Sequence, residues 1–322
     1  MKAAVVEKYG PPEVVRLLEV EKPVPDEKEV RVKIYATTVN RTDCGLRMAV
    51  PYITRLFTGL LRPKHKILGS EFTGVVDAVG KNVKSFNSGD KVFGLSTVKY
   101  GAHAEYLCID EDESISGLPE NLTLDNALAI CEGTWYAWNN LKEVDLKKGD
   151  KILINGGSGS IGSAAVQLSK YFGLEVTAVT ETKNVELVRN LGAEYVIDYT
   201  KEDFTKLAEK FDYVFDAVGK SRYSRCKKLL KPNGVFFSTE LGPYAENIFL
   251  VLWTSFFGKR KVLFPIPVNK KENILFFKEF AEKGHLEPVI DRTYPFEQIV
   301  DAYKYVESGQ KVGSVVIQMN NK

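Results

Sequence analysis

A chain of 322 residues is long enough for about two domains with buried cores. Its 44 basic and 42 acidic side chains leave a net charge of +2, so the overall balance calls for neither a nucleic-acid partner nor a membrane surface. The four cysteines are far apart and form no C-x-x-C pair, which favours free thiols in a reducing, cytoplasmic setting over a disulfide framework.

The first part of the chain reads as short strands separated by Gly, Pro and Asp. Apolar alternation rich in Val and Ile predicts strands at residues 2–7, 14–20 and 30–38, and residues 69–80 contain another. This pattern is typical of a compact β-barrel-like domain. Residues 122–141 then turn helical, and we interpret them as a bridge between two domains.

Residues 149–260 alternate between strand and helix patterns. Strands are predicted at 152–155, 176–180, 195–198, 213–217 and 235–239, with helices between them at 163–172, 185–191, 203–208 and 223–230. Such alternation predicts an α/β domain with a doubly wound parallel sheet. The tail holds two predicted helices, 271–283 and 296–308, and a last strand at 313–318. The strand-rich ends are therefore expected to form one domain and the middle another.

A glycine turn connects the first strand and helix of the α/β region. Gly157, Gly159 and Gly162 have the G-x-G-x-x-G spacing, and a second strand follows the helix. Glycines let the backbone approach a pyrophosphate, and the helix N-terminus offers N–H groups and a partial positive charge. The residues predicted to bind a dinucleotide here are Gly157, Ser158, Gly159, Ser160, Ile161 and Gly162. The alternative is a glycine-rich turn that binds none.

The longest apolar run, residues 248–257, is about half as long as a bilayer span requires. We interpret it as a buried or pocket-lining helix. A membrane-surface or dimer-contact role is the alternative. The sequence predicts no transmembrane segment.

Motifs along nearly the whole chain resemble those of the medium-chain dehydrogenase/reductase superfamily, most closely its zinc-independent quinone oxidoreductase branch. They include Val39-Asn40-Arg41-Thr42-Asp43, Gly69-Ser70-Glu71-Phe72-Thr73-Gly74, Gly89-Asp90-Lys91-Val92-Phe93-Gly94, Leu191-Gly192-Ala193 and Asp216-Ala217-Val218-Gly219. Each is weak alone, but their order and spacing are specific. The resemblance implies a GroES-like β-barrel catalytic domain from residues 1–121 and 261–322, and a Rossmann domain from residues 122–260. It also implies hydride transfer from a nicotinamide to a quinone or an α,β-unsaturated carbonyl.

The resemblance also bears on zinc. Zinc-dependent members place a Cys and a His where this chain has Asn40 and Ser70, and neither of these is a usual zinc ligand. The four-Cys structural lobe is missing, and His65, His103 and His285 lie at no ligand spacing. We therefore expect no metal.

Without zinc, hydrogen-bond donors have to stabilise the developing oxyanion. By its position in the resemblance, Asn40 is the first catalytic candidate, with Arg41 beside it. The alternative for Asn40 is a turn residue that bonds its own loop. Tyr52, in the loop that follows, is a candidate proton donor; the alternatives are a packing role for Tyr52 and water as the donor.

The end of the second α/β strand bears on the choice of cofactor. Thr180, Thr182 and Lys183 are typical of a site for the 2′-phosphate of NADPH, whereas Glu181 is the kind of residue that binds the ribose of NADH. We expect NADPH rather than NADH; the alternative for Lys183 is an exposed lysine without a ligand. By resemblance, further cofactor contacts are expected from Thr134, Tyr199, Val218, Gly219 and Lys311.

Residues 46–66 mix apolar and basic side chains, and we interpret them as a pocket wall or lid. Their apolar character favours a small hydrophobic enal, enone or quinone as substrate. Two other functions stay open: a zinc-free alcohol dehydrogenase that acts on a simple carbonyl, and an NADPH-binding protein without enzymatic activity. A homodimer, common in the family, stays open too.

Overall fold

The computed structural model describes residues 1–50 and 52–319, apart from the side chain of Ile53. The chain forms two compact units. The first comprises residues 1–132, 269–283 and 288–322, and the second comprises residues 133–268 and 284–287.

The helices and strands are numbered in chain order. The N-terminal part contains β1 (Lys2–Val6), β2 (Val15–Glu19), β3 (Glu29–Thr38), α1 (Arg41–Met48), α2 (Arg55–Thr58), β4 (Glu71–Val79), β5 (Lys91–Leu95), β6 (Tyr106–Asp110), β7 (Ser114–Gly117) and α3 (Leu124–Ala129). The middle part contains α4 (Glu132–Leu141), β8 (Lys151–Asn155), α5 (Ser160–Tyr171), β9 (Glu175–Thr180), α6 (Val185–Asn190), β10 (Tyr195–Asp198), β11 (Phe211–Asp216), α7 (Tyr223–Cys226), β12 (Leu230–Ser238), α8 (Glu246–Phe257) and β13 (Lys261–Leu263). The C-terminal part contains α9 (Lys271–Glu282), β14 (Ile290–Pro295), α10 (Ile299–Glu307) and β15 (Ser314–Gln318).

The first unit is built on a mostly antiparallel sheet. Its strand order is β14-β15-β3-β4-β5-β7, with β6 paired to β3, and β1 and β2 form a separate antiparallel pair. Inward-facing side chains of these strands meet apolar side chains of α10 in one core, which includes Val32, Ile34, Phe72, Ala302 and Tyr303. The strand-rich, GroES-like unit expected from the two chain ends is confirmed.

The second unit contains a parallel sheet with the order β10-β9-β8-β11-β12-β13. Its central strands are apolar on both faces, as in β8, where four consecutive residues are buried. The strand order reverses between β8 and β11, and ligands bind beyond the carboxyl ends of the strands at such a point. The doubly wound sheet is confirmed, and the glycine turn follows directly from β8.

The unit boundaries differ from residues 121/122 and 260/261, where the sequence placed them. Helix α3 packs on β3, β4 and β15, so residues 122–132 lie in the first unit. Strand β13 pairs with β12, so residues 261–268 lie in the second. A three-residue strand is too short for its alternation to be recognised in the sequence.

Three predicted segments turn out differently. Residues 203–208 contain only a 3-10 turn, Phe204–Lys206, and residues 223–230 contain the short α7 and a second turn. The apolar run forms helix α8 and is mostly exposed. The helix buries Asn247 and Thr254 and packs the half-buried Leu250 and Val251 on the core, whereas its other large apolar side chains face outward. Within the described residues, no helix has the length and apolar character needed to cross a bilayer.

Candidate cofactor and catalytic sites

The backbone of the glycine turn is fixed by hydrogen bonds to β9. The N–H groups of Gly156 and Gly157 donate to the carbonyl of Val179 at 3.1 and 2.9 Å, and the Gly159 N–H donates to the Gly156 carbonyl at 3.1 Å. Gly156 has a φ of +88°, which favours glycine. Gly156 lies one residue before the predicted motif, and the sequence analysis missed its role.

Two glycines of the turn are required for different reasons. A Cβ at Gly162 would lie 2.0 Å from the Gly156 carbonyl oxygen, so the turn closes only around a glycine. A Cβ at Gly159 would meet nothing nearer than that same oxygen, at 3.5 Å. The protein itself therefore tolerates a side chain at Gly159, and the space beside it is open to a ligand.

Polar groups converge where α5 begins at Ser160, with Ile161 half-buried in its first turn. The first N–H groups of a helix have no intrahelical partners and carry a partial positive charge. The Ser158 hydroxyl accepts hydrogen bonds from Thr180 Oγ1 at 2.9 Å and from Asn184 Nδ2 at 3.3 Å. Since both acceptor positions of this oxygen are used, its proton is left for a further acceptor. This arrangement suits an anion such as a pyrophosphate.

The end of β9 carries a charged pair. Lys183 Nζ lies 2.8 Å from Glu181 Oε1, and Asn184 Nδ2 donates to the same oxygen at 3.3 Å. The Glu181 carboxylate is therefore held and partly neutralised. Tyr199 is near both charges, and its pKa is raised by burial and by Glu181, against the opposing effect of Lys183.

Asp198 organises the neighbouring loop. Its carboxylate accepts hydrogen bonds from the hydroxyls of Thr182 at 2.5 Å and Thr200 at 2.7 Å. These bonds hold the pKa of Asp198 well below its usual range, so it stays ionised. Thr182 is thus anchored beside Lys183.

The remaining cofactor candidates of this unit adjoin the same edge of the sheet. A Cβ at Gly156 would lie 2.3 Å from Val218 Cγ1, so Val218 packs against the turn, and Gly219 follows with a φ of +64°. Thr134 is buried in α4, directly after Gly133, where a Cβ would lie 2.4 Å from the Ser160 carbonyl oxygen. The structure thus brings the second unit's predicted cofactor residues to the carboxyl ends of β8, β9, β10 and β11.

The first unit contains Asn40, which caps helix α1. Its side chain accepts a hydrogen bond from the Asp43 N–H at 2.9 Å, and the Asp43 carboxylate accepts one from the Asn40 N–H at 3.1 Å. The amide nitrogen of Asn40 donates to Ser70 Oγ at 3.0 Å and to Glu71 Oε1 at 3.3 Å. Both amide hydrogens are therefore already donated within the protein.

Asp43, Glu71, Glu132 and Lys311 form what we call the buried charge cluster. Burial raises the pKa of Asp43 and that of Glu71 to about 7 each. Burial, Glu71 and Asp43 raise the pKa of Glu132 well above its usual range. Burial lowers the pKa of Lys311, opposed by Glu132 and Glu71. The carboxyl groups of this cluster therefore hold protons at a higher pH than exposed ones do.

Three predicted residues of this unit have very different settings. Lys311 Nζ donates to the Gly313 carbonyl at 2.6 Å, Arg41 is exposed at the first position of α1, and Tyr52 is 73 % exposed. The Arg55 guanidinium lies 4.7 Å from the centre of the Tyr52 ring. Pro51 lies outside the described residues.

Sequence reasoning missed the roles of Glu71 and His103. Glu71 lies within a quoted motif, and that motif was the available signal. His103 Nε2 lies 2.7 Å from the Thr38 carbonyl oxygen, and its Nδ1 lies 3.3 Å from the Tyr303 hydroxyl. Burial lowers the pKa of His103 to about 4, so the ring is neutral and structural.

The residues at the two zinc-ligand positions do not fit zinc. Asn40 and Ser70 present an amide and a hydroxyl that bond to each other, with Glu71 as the nearest carboxylate. Among residues 1–50 and 52–319, no three His, Cys, Asp or Glu side chains come together in a metal-binding arrangement.

A GroES-like unit and a doubly wound sheet with a glycine turn define a two-unit dinucleotide-binding protein. Residues 26–120 match the alcohol dehydrogenase GroES-like domain family, and residues 191–317 match the zinc-binding dehydrogenase family. The chain is 33 % identical to 2-methylene-furan-3-one reductase of Solanum lycopersicum, over 98 % of this chain and 79 % of that protein. It is 31 % identical to the chloroplastic NADPH-dependent alkenal/one oxidoreductase of Arabidopsis thaliana, with the same coverage.

Among solved structures, the quinone oxidoreductase from Coxiella burnetii superposes with a TM-score of 0.88 at 27 % identity, and the match covers 99 % of both chains. The chain belongs to the medium-chain dehydrogenase/reductase superfamily.

Proposed function

We propose that this protein is an NADPH-dependent oxidoreductase that transfers a hydride to a quinone or an α,β-unsaturated carbonyl without zinc. The observation that carries the proposal is the glycine turn at the carboxyl end of β8, which fits a dinucleotide. Support comes from relatives named as an NADPH-dependent alkenal/one oxidoreductase and a 2-methylene-furan-3-one reductase. The four free cysteines support a cytoplasmic setting.

In this proposal the turn binds the pyrophosphate. The N-terminus of α5 and the free proton of Ser158 provide donors, while Gly159 leaves room for close approach. Val218, Gly219 and Thr134 flank the turn and hold the rest of the cofactor. The bound nicotinamide supplies the hydride.

The choice of NADPH rests on Lys183 and its neighbours. Lys183 is 62 % exposed and pairs with the Glu181 carboxylate, which Asn184 also holds. A 2′-phosphate has more charge to offer this lysine than Glu181 has, and Thr182 and Tyr199 lie beside it. The Glu181 carboxylate already contacts Lys183 and Asn184, so it is poorly placed to accept hydrogen bonds from a ribose hydroxyl.

In the first unit, we assign Asn40 a positioning role and Arg41 the role of oxyanion donor. Asn40 has no amide hydrogen left for a substrate, but it fixes the start of α1 and holds Ser70 and Glu71. Arg41, the first residue of that helix, is exposed and permanently charged. Lys311 belongs to the buried charge cluster, and its contact with the cofactor stays a prediction from the family resemblance.

A substrate panel tests the function. Oxidation of NADPH is followed by absorbance with a quinone, an enal and a simple ketone, and we expect turnover with the first two. Turnover of the ketone alone would assign a zinc-free alcohol dehydrogenase. Tight NADPH binding without any turnover would assign a binding protein. Stoichiometric zinc in the purified protein would contradict the zinc-free mechanism.

The Lys183→Ala variant tests the cofactor assignment. We expect the Kd for NADPH to rise about tenfold, because one charge-assisted contact to the 2′-phosphate is lost. The Kd for NADH should stay within about twofold, since NADH has no such phosphate. Arg189→Ala, which removes an exposed ion pair with Glu186, is the matched control. Equal losses for both cofactors would contradict the assignment.

A further inference from the structure

The inner face of helix α8 mixes polar and apolar side chains, since the half-buried Leu250 and Val251 pack against the core of the second unit. The helix buries the polar side chains of Asn247 and Thr254, which donate to the carbonyls of Glu240 and Leu250, both at 2.7 Å. Its outward face carries six large apolar side chains that are 50–79 % exposed: Ile248, Phe249, Leu252, Trp253, Phe256 and Phe257. A soluble surface helix normally places such residues inward.

The six side chains form one continuous stripe. They repeat at intervals of four residues, so they share one side of the helix. The rings of Phe249 and Trp253 lie 6.3 Å apart, and those of Trp253 and Phe257 lie 5.0 Å apart. The stripe amounts to several hundred Å² of apolar surface, the size that marks an interaction site.

Cations gather where the stripe ends. The amino ends of parallel strands share one edge of a sheet, and Lys210, Lys228 and Lys261 lie at the amino ends of β11, β12 and β13. Lys210 Nζ donates to the Lys228 carbonyl at 2.6 Å, which ties two of these ends together. Arg260 Nε donates to the Leu230 carbonyl at 2.9 Å, which ties the third.

The charge at this edge is not balanced by the protein. Nearby acids are already engaged: Asp212 pairs with Lys231 at 2.7 Å, and Glu209 pairs with Lys151 at 2.6 Å. Over the described part of the chain, no carboxylate lies within ion-pair distance of the following lysines: Lys210, Lys227, Lys228, Lys259 and Lys261. We call these five lysines the basic edge.

We propose that the α8 stripe and the basic edge together bind an anionic lipid bilayer at its surface. Aromatic and aliphatic side chains enter the boundary between headgroups and acyl chains, and lysines meet the lipid phosphates. A second copy of this chain could cover the stripe with its own α8. That helix has a single carboxylate, Glu246, to pair with the five lysines of the basic edge. A nucleic acid would complement the charge of the basic edge but would not bury the apolar stripe.

The basic edge and the glycine turn lie at opposite edges of the parallel sheet. The basic edge lies at the amino ends of the parallel strands, whereas the glycine turn follows the carboxyl end of β8. The proposal does not depend on the substrate or on catalysis.

Flotation of the full chain with vesicles tests the proposal. We expect it to float with phosphatidylcholine vesicles that contain phosphatidylglycerol, and at least about tenfold less with phosphatidylcholine alone or at high salt. Emission from Trp253, the most exposed of the three tryptophans, should shift to the blue on binding.

Two double variants separate the apolar and the charged contributions. Trp253→Ser with Phe256→Ser, and Lys259→Glu with Lys261→Glu, should each lower the partition into anionic vesicles by at least about tenfold. Matched controls on the same unit are Tyr195→Ser, which removes an exposed ring, and Lys142→Glu with Lys148→Glu. These should stay within about twofold of wild type, and thermal melting and NADPH titration check that every variant is folded.

Three results would overturn the proposal. The first is that the protein floats with no vesicle, and the second is that neither double variant weakens flotation. The third is that the wild-type protein does not bind vesicles but forms a dimer, which dissociates in the serine variant. The last result would identify the stripe as an interface between copies. Should the serine variant fail to fold, the charge-reversal variant and the salt dependence still decide the outcome.

Discussion

The glycine turn and the surroundings of Asn40 show two ways in which a sequence builds a site. In the turn, backbone contacts dictate the residue type: only glycine fits at position 162, because a Cβ there would lie 2.0 Å from the Gly156 carbonyl oxygen. Around Asn40, the residues matter through the side-chain bonds they make across β3, α1 and β4. The first kind of site can be recognised from the spacing of residues in the sequence, whereas the second depends on which strands pair.

The turn contains a direct test of this distinction, and we expect the largest effect there. Gly162→Ala should lower both the melting temperature and NADPH affinity, because the new Cβ displaces the Gly156 carbonyl. Gly159→Ala should keep the melting temperature but weaken NADPH binding about a hundredfold, because the Cβ fills space that only the ligand needs. Thermal unfolding and fluorescence titration measure the two effects.

One result for these two glycine variants would contradict the prediction. If Gly159→Ala bound NADPH as wild type does, the pyrophosphate would not approach this residue. Gly117→Ala, where a Cβ meets nothing within 4 Å, is the control for a glycine that faces open space.

The buried charge cluster should produce a pH dependence that the turn lacks. Burial raises the pKa of Glu71 from 4.5 to about 7, so the folded state binds a proton that the unfolded state releases. The stabilisation by this group is complete below pH 4.5 and is lost as the pH rises towards 7. Glu71→Gln should remove this part of the slope, on the order of 2–3 kcal/mol in the free energy of unfolding.

Urea unfolding across this pH range measures the slope. The exposed Glu186, replaced by Gln, is the matched control, because its side chain is 77 % exposed. An unchanged slope in Glu71→Gln would mean that water reaches this carboxyl group.

Asn40→Ala should have a smaller effect, about 2 kcal/mol in the free energy of unfolding. It removes an N-cap, worth about 1 kcal/mol, and takes one donor each from Ser70 and Glu71, although Glu71 keeps its bond from the Thr38 hydroxyl. The matched control is Thr123→Ala, because Thr123 caps α3 through the Asn126 N–H at 3.3 Å. If Asn40 positions the site, its loss should also lower kcat, whereas the loss of Thr123 should lower stability alone.

Sequence reasoning found what is local and periodic. It predicted the strands of the parallel sheet except β13, and it located the glycine turn that follows β8. It also linked Asn40 with Ser70, and the structure places their side chains 3.0 Å apart. It did not predict α1, because that helix is short and polar and lies in a strand-rich region.

The sequence did not predict which groups each side chain contacts in the fold. Lys183 was recognised, but its contact with Glu181 depends on the turn after β9. The burial of Glu132 beside Glu71 depends on how α3 packs against the sheet. In α8, which residues of the apolar run face inward could not be read from composition: Leu250 and Val251 pack on the core, and Asn247 and Thr254 bond to backbone groups beside them.

The smallest effect is expected at Tyr52. Its side chain is 73 % exposed and lies against Arg55, so water competes with the Tyr52 hydroxyl as a proton donor. We therefore expect Tyr52→Phe to change kcat by less than about twofold, because a donor with a competing solvent path contributes little. Tyr9 lies against the same guanidinium and is the matched control, since its hydroxyl lies 2.9 Å from Thr58 Oγ1 and donates to the Gly59 carbonyl at 2.7 Å. Tyr9→Phe should loosen residues 58–59 towards proteolysis without changing kcat. A fall of tenfold or more in kcat for Tyr52→Phe, with KM unchanged, would instead make Tyr52 the proton donor and place chemistry in a loop rather than in the buried network around Asn40.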